Sequence, residues 1–161
     1  MRRLATPADR DRVYDIYMHD DVVPFLGFDP MGRDAFGKVF DPLFESGCFY
    51  VYELDGRVQG FYKAQRHVGR AAHVAYLGTL AVAPEVRGLG VAQAMLEDAI
   101  ARLRRAGIRR VELTVEADNP GAIAFYQRLG FRHEGTQREA YKRAGEPGYV
   151  DELMYGLLLD D

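Results

Sequence analysis

The sequence predicts an α/β (α+β) fold with the element order βααβββαβαββ. Three observations predict it. Asp55-Gly56 lies between two β-favouring runs, which is a strong hairpin signal and predicts antiparallel strands. A third apolar run leads into a glycine turn, which is followed by apolar residues spaced as they are on one face of a helix. Asn119-Pro120 opens a further helix, and two more β-favouring runs follow it.

The N-terminal third is predicted to contain one strand and two helices. Arg2–Ala5 is the strand, because Thr6-Pro7 is typical of an N-cap followed by proline at the first helical position. The segment Asp20–Asp34 holds two prolines and two glycines and is predicted to be a loop. A second helix is expected over about Asp34–Glu45. Loops of this length often carry function.

The remaining elements follow from hydrophobic periodicity and from glycine and proline positions. Gly107 and Gly130 are typical of helix C-terminal stops. The predicted strands and helices are Cys48–Leu54, Arg57–Gln65, His73–Val82, the helix Gly90–Arg105, Val111–Glu116, the helix opened by Pro120, Arg132–Tyr141 and Val150–Leu159. No linker, repeat or low-complexity tract interrupts them, so residues 1–161 are predicted to form a single domain.

Composition excludes several classes of protein. The 161 residues are 48% hydrophobic and 28% charged, which is typical of one globular domain. A net charge of -3 argues against a broad nucleic-acid-binding face. No apolar run approaches the roughly 20 residues of a membrane span, and the N-terminus lacks a signal-peptide pattern. With Cys48 as its only cysteine, the chain is predicted to be cytoplasmic.

The residue pattern predicts no metal site. The four histidines, which are His19, His67, His73 and His133, show no metal-ligand spacing. No group of acidic residues imitates a loop that binds hard cations.

The segment Val82–Ala92 has the features of a phosphate-binding turn. Gly88 and Gly90 lack Cβ atoms, so successive N–H groups can converge, and the following helix adds its unpaired donors and positive dipole end. Arg87 can add a charge-assisted contact, and the small side chain of Ala92 allows close approach. Glycine turns also precede helices as ordinary connections, so this signal needs a second one.

The second signal is N-P-G-A-I-A-F-Y-Q-R-L-G-F at Asn119–Phe131. Arg87–Ala92 fits the Q/R-x-x-G-x-G/A pattern of the GCN5-related N-acetyltransferase superfamily, and Asn119–Phe131 resembles that family's next helix and its closing L-G-F. The two segments follow in the family's order and spacing. The chain therefore resembles this superfamily from about Tyr76 to Phe131. The resemblance implies a mixed, mostly antiparallel central sheet flanked by helices.

The resemblance also implies acetyl-CoA as co-substrate. In the family, the turn binds the pyrophosphate, and the preceding strand pairs with the pantetheine arm through its backbone, next to a bulge expected here at Gly78-Thr79. Asn119 would hydrogen-bond the cofactor, although alone it is equally typical of a helix N-cap. The implied cofactor-binding residues are Leu80, Ala81, Val82, Arg87, Gly88, Leu89, Gly90, Val91, Ala92, Asn119 and Tyr126.

The proton-transfer residues are only partly indicated. Tyr126 lies where the family's tyrosine often protonates the leaving thiolate, although aromatic residues at helical spacing are also typical of a core. Some relatives carry a glutamate where this chain has Thr114. Glu112 and Glu116 share that strand face, and His73 begins the strand before the turn. Either glutamate could act through a water, and Tyr76 is a second titratable residue on the strand of His73. Glu112 and His73 are taken as the candidate bases, with ordered water or an amine that arrives partly neutral as alternatives.

The acceptor site of the family lies between the loop joining the first two helices and the hairpin of the last two strands. Carboxylates beside aromatic rings suit an ammonium group. The loop contributes Asp20, Asp21, Phe25 and Phe28, and the hairpin contributes Tyr141, Tyr149, Asp151 and Glu152. The candidate acceptor-binding residues chosen from these and from the strand before the turn are Phe28, Tyr76, Tyr141 and Asp151.

The resulting hypothesis is an acetyl-CoA-dependent N-acetyltransferase that moves an acetyl group to a primary amine by direct attack in a ternary complex. A small amine, a polyamine, an amino acid derivative and a protein N-terminus all remain open as acceptors. The alternative is a non-catalytic module that binds or senses acyl-CoA. A dinucleotide-binding domain is disfavoured, since no G-x-G-x-x-G follows an early strand. The expected partners exclude nucleic acid and membrane, and a homodimer is possible.

Overall fold

The computed structural model describes residues 1–160 and contains, within them, one seven-stranded sheet and four α-helices. The predicted element order is confirmed, with boundaries shifted by one or two residues except at the first helix, where Pro7–Asp9 forms a 3-10 helix and the α-helix begins at Arg10. The elements are β1 Arg2–Leu4, α1 Arg10–Tyr17, α2 Arg33–Glu45, β2 Phe49–Leu54, β3 Arg57–Arg66, β4 Val74–Val82, α3 Val91–Arg105, β5 Arg110–Glu116, α4 Pro120–Arg128, β6 Arg132–Tyr141 and β7 Val150–Leu158.

The sheet is mixed and mostly antiparallel, as the resemblance implies. Its strand order is β1-β2-β3-β4-β5-β7-β6. Only β4 and β5 are parallel, and they pair over just three residues each, Val74–Tyr76 with Arg110–Glu112. Beyond Tyr76, β4 has no partner on this edge, so a gap opens in the middle of the sheet.

A β-bulge in β4 contributes to that separation. The β3–β4 register shifts between Phe61 and Lys63, and Thr79 has a φ of 48°. This confirms the bulge predicted at Gly78-Thr79. A bulge bends its strand and increases the local twist, so the second half of β4 turns away from the direction of β5.

The hairpin between β2 and β3 is also confirmed. Asp55 and Gly56 have φ values of 51° and 75°, as a two-residue primed turn requires. This pairing starts the antiparallel half of the sheet.

The helices bury one hydrophobic cluster on each face of the sheet. Helices α1 and α2 pack on β2–β4, and α3 and α4 pack on the opposite face. In β5, Val111, Leu113 and Val115 are buried under α3 and α4, which is the alternation predicted for a half-buried strand. Glu112, Thr114 and Glu116 therefore lie on the other face. The charged side of β5 borders the gap.

Gly60 allows α3 to approach the sheet closely. A Cβ atom at this buried position would lie 2.9 Å from Met95 Sδ and 3.0 Å from the Ala81 carbonyl oxygen. We expect Gly60→Ala to lower the free energy of unfolding by about 1–3 kcal/mol, because the backbone oxygen cannot move aside freely. Denaturant unfolding measures this, with Gly135→Ala as control, since its Cβ would meet nothing within 4 Å. Equal stabilities of the two variants would contradict the prediction.

Candidate active site

A cleft of about 1040 Å³ occupies the gap between β4 and β5. The second half of β4, the end of β5, the first turns of α4 and the α1–α2 and β6–β7 loops form its walls. The predicted site residues that line it are Phe28, Tyr76, Leu80, Ala81, Val82, Arg87, Ala92, Asn119, Tyr126 and Tyr141. Those outside its lining are His73, Gly88, Leu89, Gly90, Val91, Glu112 and Asp151.

The glycine turn lies at one end of the cleft and leads into α3. Gly88 and Gly90 have φ values of 75° and 78°, a conformation that L side chains rarely adopt. The amides of Arg87 and Leu89 are already bonded to the carbonyls of Pro84 and Val86. The first turn of a helix has no carbonyl to receive its own amides. The donors that this turn can offer to an anion are therefore those of Gly88, Gly90, Val91 and Ala92.

The later half of β4 forms the wall next to this turn. Ala81 and Val82 pair with β3 on one edge of β4. The other edge faces the gap, where alternate N–H and C=O groups have no partner strand. An extended amide-containing chain could pair with this edge as an additional strand would. The unpaired edge leaves room for the predicted pairing of the pantetheine arm with the backbone of Leu80, Ala81 and Val82. This pairing stays a prediction.

Asn119 is confirmed as the N-cap of α4. Its Oδ1 accepts a hydrogen bond of 3.3 Å from the Ala122 amide. The side chain also borders the cleft. The cap fixes the start of α4 beside the end of β5, and the proposed contact with a cofactor is compatible with it.

Tyr126 belongs to both the core and the cleft. Its ring packs edge-on against Phe131, and only 9% of the residue is exposed. Burial, followed by the nearby Glu116 and Tyr76, raises the pKa of the Tyr126 phenol. The phenol therefore stays protonated well above neutral pH, as a proton donor requires.

Glu116 lines the cleft, although the bases predicted from the sequence were Glu112 and His73. It ends β5, lines the cleft and lies close enough to Tyr126 to affect its pKa. Burial raises the pKa of the Glu116 carboxyl to about 7, and the negative charge of Glu152 adds to the rise. Asn119 and Arg143 act in the opposite direction. A carboxyl that titrates near neutral pH suits a general base.

The two bases chosen from the sequence lie elsewhere. Glu112 accepts hydrogen bonds from His67 Nε2 at 2.8 Å and Arg110 Nη2 at 3.1 Å, at the closed end of the β4–β5 pair. His73 is exposed and precedes β4, where its carbonyl accepts the Arg109 amide at 2.8 Å. The structure brings neither residue into the cleft, because the gap opens only beyond Tyr76 and Glu112.

The acceptor end of the cleft contains three of the four predicted residues. Phe28 enters from the α1–α2 loop, and Tyr141 enters from the end of β6. Tyr76 bridges the two separating strands through a 3.1 Å bond between its hydroxyl and Thr114 Oγ1. Asp151 is outside the lining, since its Oδ1 accepts the Glu139 amide at 2.8 Å and supports an irregularity in β6.

Arg143 closes the outer side of the acceptor end and was not singled out from the sequence. Its Nε donates to the Pro24 carbonyl at 2.8 Å, and its Nη1 lies 2.6 Å from Asp118 Oδ2. Its Nη2 donates to the Tyr141 hydroxyl at 2.9 Å. These bonds join the β6–β7 loop to the α1–α2 loop across the mouth of the cleft. An arginine in a glycine-containing loop gives no sequence signal for such a role.

Within residues 1–160, no helix is both long enough and apolar enough to cross a bilayer. The same residues include no cluster of three or more His, Cys, Asp or Glu side chains arranged to hold a metal ion.

The family follows from a comparison with known sequences. A sequence model of the acetyltransferase (GNAT) family matches residues 10–131, which is more than half of the chain. The chain belongs to this family. Mycothiol acetyltransferase of Streptomyces coelicolor is 31% identical over 99 residues. That alignment covers 62% of this chain and 31% of the relative, so the chain matches about a third of that protein's length.

Solved structures of similar fold support the same architecture. A GCN5-related N-acetyltransferase from Kribbella flavida is 28% identical with a TM-score of 0.77, over 99% of this chain and 97% of that one. A putative acetyltransferase from Salmonella typhimurium, solved with acetyl-CoA, is 21% identical with a TM-score of 0.76, over 100% of this chain and 94% of that one. The second likeness concerns the fold alone.

Proposed function

We propose that this GNAT-family protein is an N-acetyltransferase that uses acetyl-CoA to acetylate a primary amine. One observation carries the proposal. Glu116, with a pKa of about 7, and the protonated phenol of Tyr126 come together in a cleft that runs from a glycine turn to an aromatic and acidic pocket. A base and an acid whose pKa values are held apart are what amine acetylation requires.

The residues present fit acetyl-CoA. The amides of Gly88, Gly90, Val91 and Ala92 would bind its diphosphate, and a Cβ atom at either glycine would meet no neighbour within 4 Å, so the turn is open to a ligand. The free edge of β4 would pair with the pantetheine amides. When bound, acetyl-CoA supplies the acetyl group and a thiolate leaving group.

The protein's own residues would manage the protons. The acceptor enters as an ammonium ion, and Glu116 takes one proton from it, directly or through a water, so that the nitrogen lone pair is free. Tyr126 holds a proton at Oη for the departing sulfur, and the second proton that the nitrogen loses on becoming an amide would return, directly or through water, to the Tyr126 oxygen. The pocket keeps both groups away from bulk solvent, which strengthens their interactions. No covalent enzyme intermediate is needed.

A non-catalytic acyl-CoA-binding module remains the competing function. It is favoured by Thr114, which lies where some relatives carry a glutamate and whose hydroxyl is bonded to Tyr76. Acetyl-CoA turnover with a broad panel of amines separates the two functions. Saturable binding without CoA release for any amine would favour the module.

We expect Tyr126→Phe to lower kcat by about tenfold to a hundredfold while the affinity for acetyl-CoA stays within about twofold. The ring and its packing are kept, so only the proton donor is lost. Steady-state kinetics and calorimetric titration measure the two quantities. Tyr155→Phe is the matched control, because Tyr155 is also buried but lies outside the cleft lining. Unchanged turnover in Tyr126→Phe would make Tyr126 a packing residue only.

The acceptor is proposed only as a class, a small-molecule or peptide amine. A cytoplasmic location, one domain over residues 1–161 and a homodimer stay predictions. Size-exclusion chromatography with light scattering tests the homodimer directly.

A further inference from the structure

Two carboxylates face each other at the acceptor end of the cleft. Glu116 in β5 and Glu152 in β7 are directly opposite each other in the antiparallel register, and both line the cleft. Like charges at directly opposite positions of a strand pair destabilise the sheet. The other residues of β5 face uncharged residues of β7; Thr114, for example, is opposite Met154. The acidic pair therefore costs stability where a neutral partner would not.

The basic residues that line the cleft form their ion pairs and ring contacts with other groups, and of them Arg143 acts on Glu116 only through its charge from a longer distance. Arg143 lies 2.6 Å from Asp118 and 3.7 Å from Glu146. Arg87 pairs with Asp21 at 3.5 Å, and Lys142 lies over the Tyr149 ring. No ion pair to Glu116 or Glu152 exists among residues 1–160. The pair thus keeps a negative charge that a ligand can neutralise.

The remaining cation, Lys63, lies at the far side of the cleft. It belongs to β3, and three strand spacings separate β3 from β7, or about 14 Å. An acceptor amine at Glu116 in β5 has Glu152 directly opposite on the next strand, about 5 Å away, whereas Lys63 is two strand spacings away on the other side of β5, or about 10 Å. For short acceptors, Glu152 is therefore the charged group that meets the atoms next to the reacting nitrogen.

A polar group outside the carboxylate pair also faces a bound molecule at this place. Tyr126 is 9% exposed, lines the cleft and has a phenol without a hydrogen-bond partner among the described residues. Its oxygen is accessible from the cleft, since the buried unpaired side-chain atoms among the described residues belong to Tyr62 and Arg102, and the phenol can therefore donate to a bound molecule. Tyr141 lines the same end, and aromatic rings attract ammonium groups.

We propose that Glu152 determines acceptor specificity by selecting amines whose second polar group is cationic or neutral and by rejecting amines that carry a carboxylate there. This inference rests on the proposed acetyltransferase function and deepens it. A second ammonium group is attracted by Glu152, whereas a carboxylate is repelled by it across a short distance in a partly desolvated pocket. Free amino acids with short chains are then poor acceptors, and short diamines are good ones.

The test compares acceptors of similar length that differ in charge: 1,4-diaminobutane, 1-aminobutane and 4-aminobutanoate. For the wild-type protein we expect kcat/KM to fall in that order, with at least about thirtyfold between the diamine and the amino acid. In Glu152→Gln this ratio should fall to within about threefold, mainly through a higher KM for the diamine. Glutamine keeps the shape of glutamate and removes the repulsion, so the variant should fold.

Glu139→Gln is the control, because Glu139 lies in the neighbouring strand β6 but outside the cleft lining. It should keep the wild-type ratio. A second readout is the pH profile of kcat/KM, whose acidic limb should move to lower pH in Glu152→Gln and stay in place in Glu139→Gln, since Glu152 raises the Glu116 pKa.

Different results would contradict the specificity role of Glu152 and the acetyltransferase function. If the wild-type protein acetylates 4-aminobutanoate as well as 1,4-diaminobutane, or if Glu152→Gln keeps the ratio, the specificity role of Glu152 is overturned and the acetyltransferase function stands. If acetyl-CoA binds and no amine in a broad panel is acetylated, the proposed function itself fails, and the role of Glu152 fails with it.

Discussion

Replacing Glu116 by glutamine is expected to lower kcat/KM by about 10²–10⁴ while acetyl-CoA affinity is unchanged. Glutamine keeps the size of the side chain but cannot take a proton from the acceptor ammonium. Initial rates at several pH values, together with calorimetric titration of acetyl-CoA, measure this. The rate of the wild-type protein should rise with pH to a plateau above about 7, where Glu116 is ionised.

The matched control is Glu112→Gln. Glu112 lies on the same strand and face but is bonded to His67 and Arg110 outside the cleft. We expect its kcat/KM to stay within about threefold of the wild type. The reverse result, a large loss for Glu112→Gln and none for Glu116→Gln, would restore the base chosen from the sequence and contradict the structural assignment.

The Glu116→Gln variant should be more stable than the wild-type protein although it is less active. The folded pKa of Glu116 is about 7, above its ordinary value of 4.5, so the folded state binds this proton more tightly than the unfolded chain does. Ionisation of Glu116 therefore lowers stability as pH rises from about 4.5 to about 7, with no further loss above that. Glu116→Gln should be more stable than the wild type by about 1–3 kcal/mol at pH 8. Below about pH 4.5 this difference should disappear.

Replacing Gly90 by glutamate is expected to weaken acetyl-CoA binding by at least about a hundredfold. Gly90 is the left-handed N-cap of α3, with a φ of 78°. A glutamate there adds backbone strain, bulk and a negative charge where the diphosphate would bind. Calorimetric titration and ligand-induced thermal shift measure the loss.

Gly90→Ala distinguishes strain from charge. Its Cβ would meet no atom within 4 Å, so alanine adds only the roughly 1–2 kcal/mol of a left-handed conformation. We expect it to bind acetyl-CoA with less than about tenfold weaker affinity. If Gly90→Glu keeps the wild-type affinity, the turn is not the diphosphate site, and the acetyl-CoA assignment loses its structural basis.

The agreement between sequence and structure is best where the signal is local. The Asp55-Gly56 turn, the Gly78-Thr79 bulge and the Asn119 N-cap all depend on residues a few positions apart. Backbone preferences and short-range hydrogen bonds determine such features, so the sequence predicts them directly.

The agreement is poorest for residues whose role depends on position along a strand. Alternation puts Glu112 and Glu116 on one face of β5, but it does not tell which of them reaches the gap. The three-residue pairing of β4 with β5 decides this, because Glu112 is within the paired part and Glu116 is beyond it. Asp151 was likewise placed in the correct hairpin, where it supports the β6 backbone.

By itself, the sequence determined the order of the elements and the glycine turn before α3. It also indicated the family, through this turn. Each of these features is encoded in contiguous residues. Only the tertiary structure decided which carboxylate lines the cleft, that Glu152 faces Glu116 and that Arg143 closes the mouth. The pair of carboxylates joins residues 36 positions apart in register, and the Arg143 bond to Pro24 joins residues 119 apart. Contacts between residues so far apart in the sequence depend on how the strands pair and separate. Burial in the gap between β4 and β5 then determines the protonation states on which the chemistry depends.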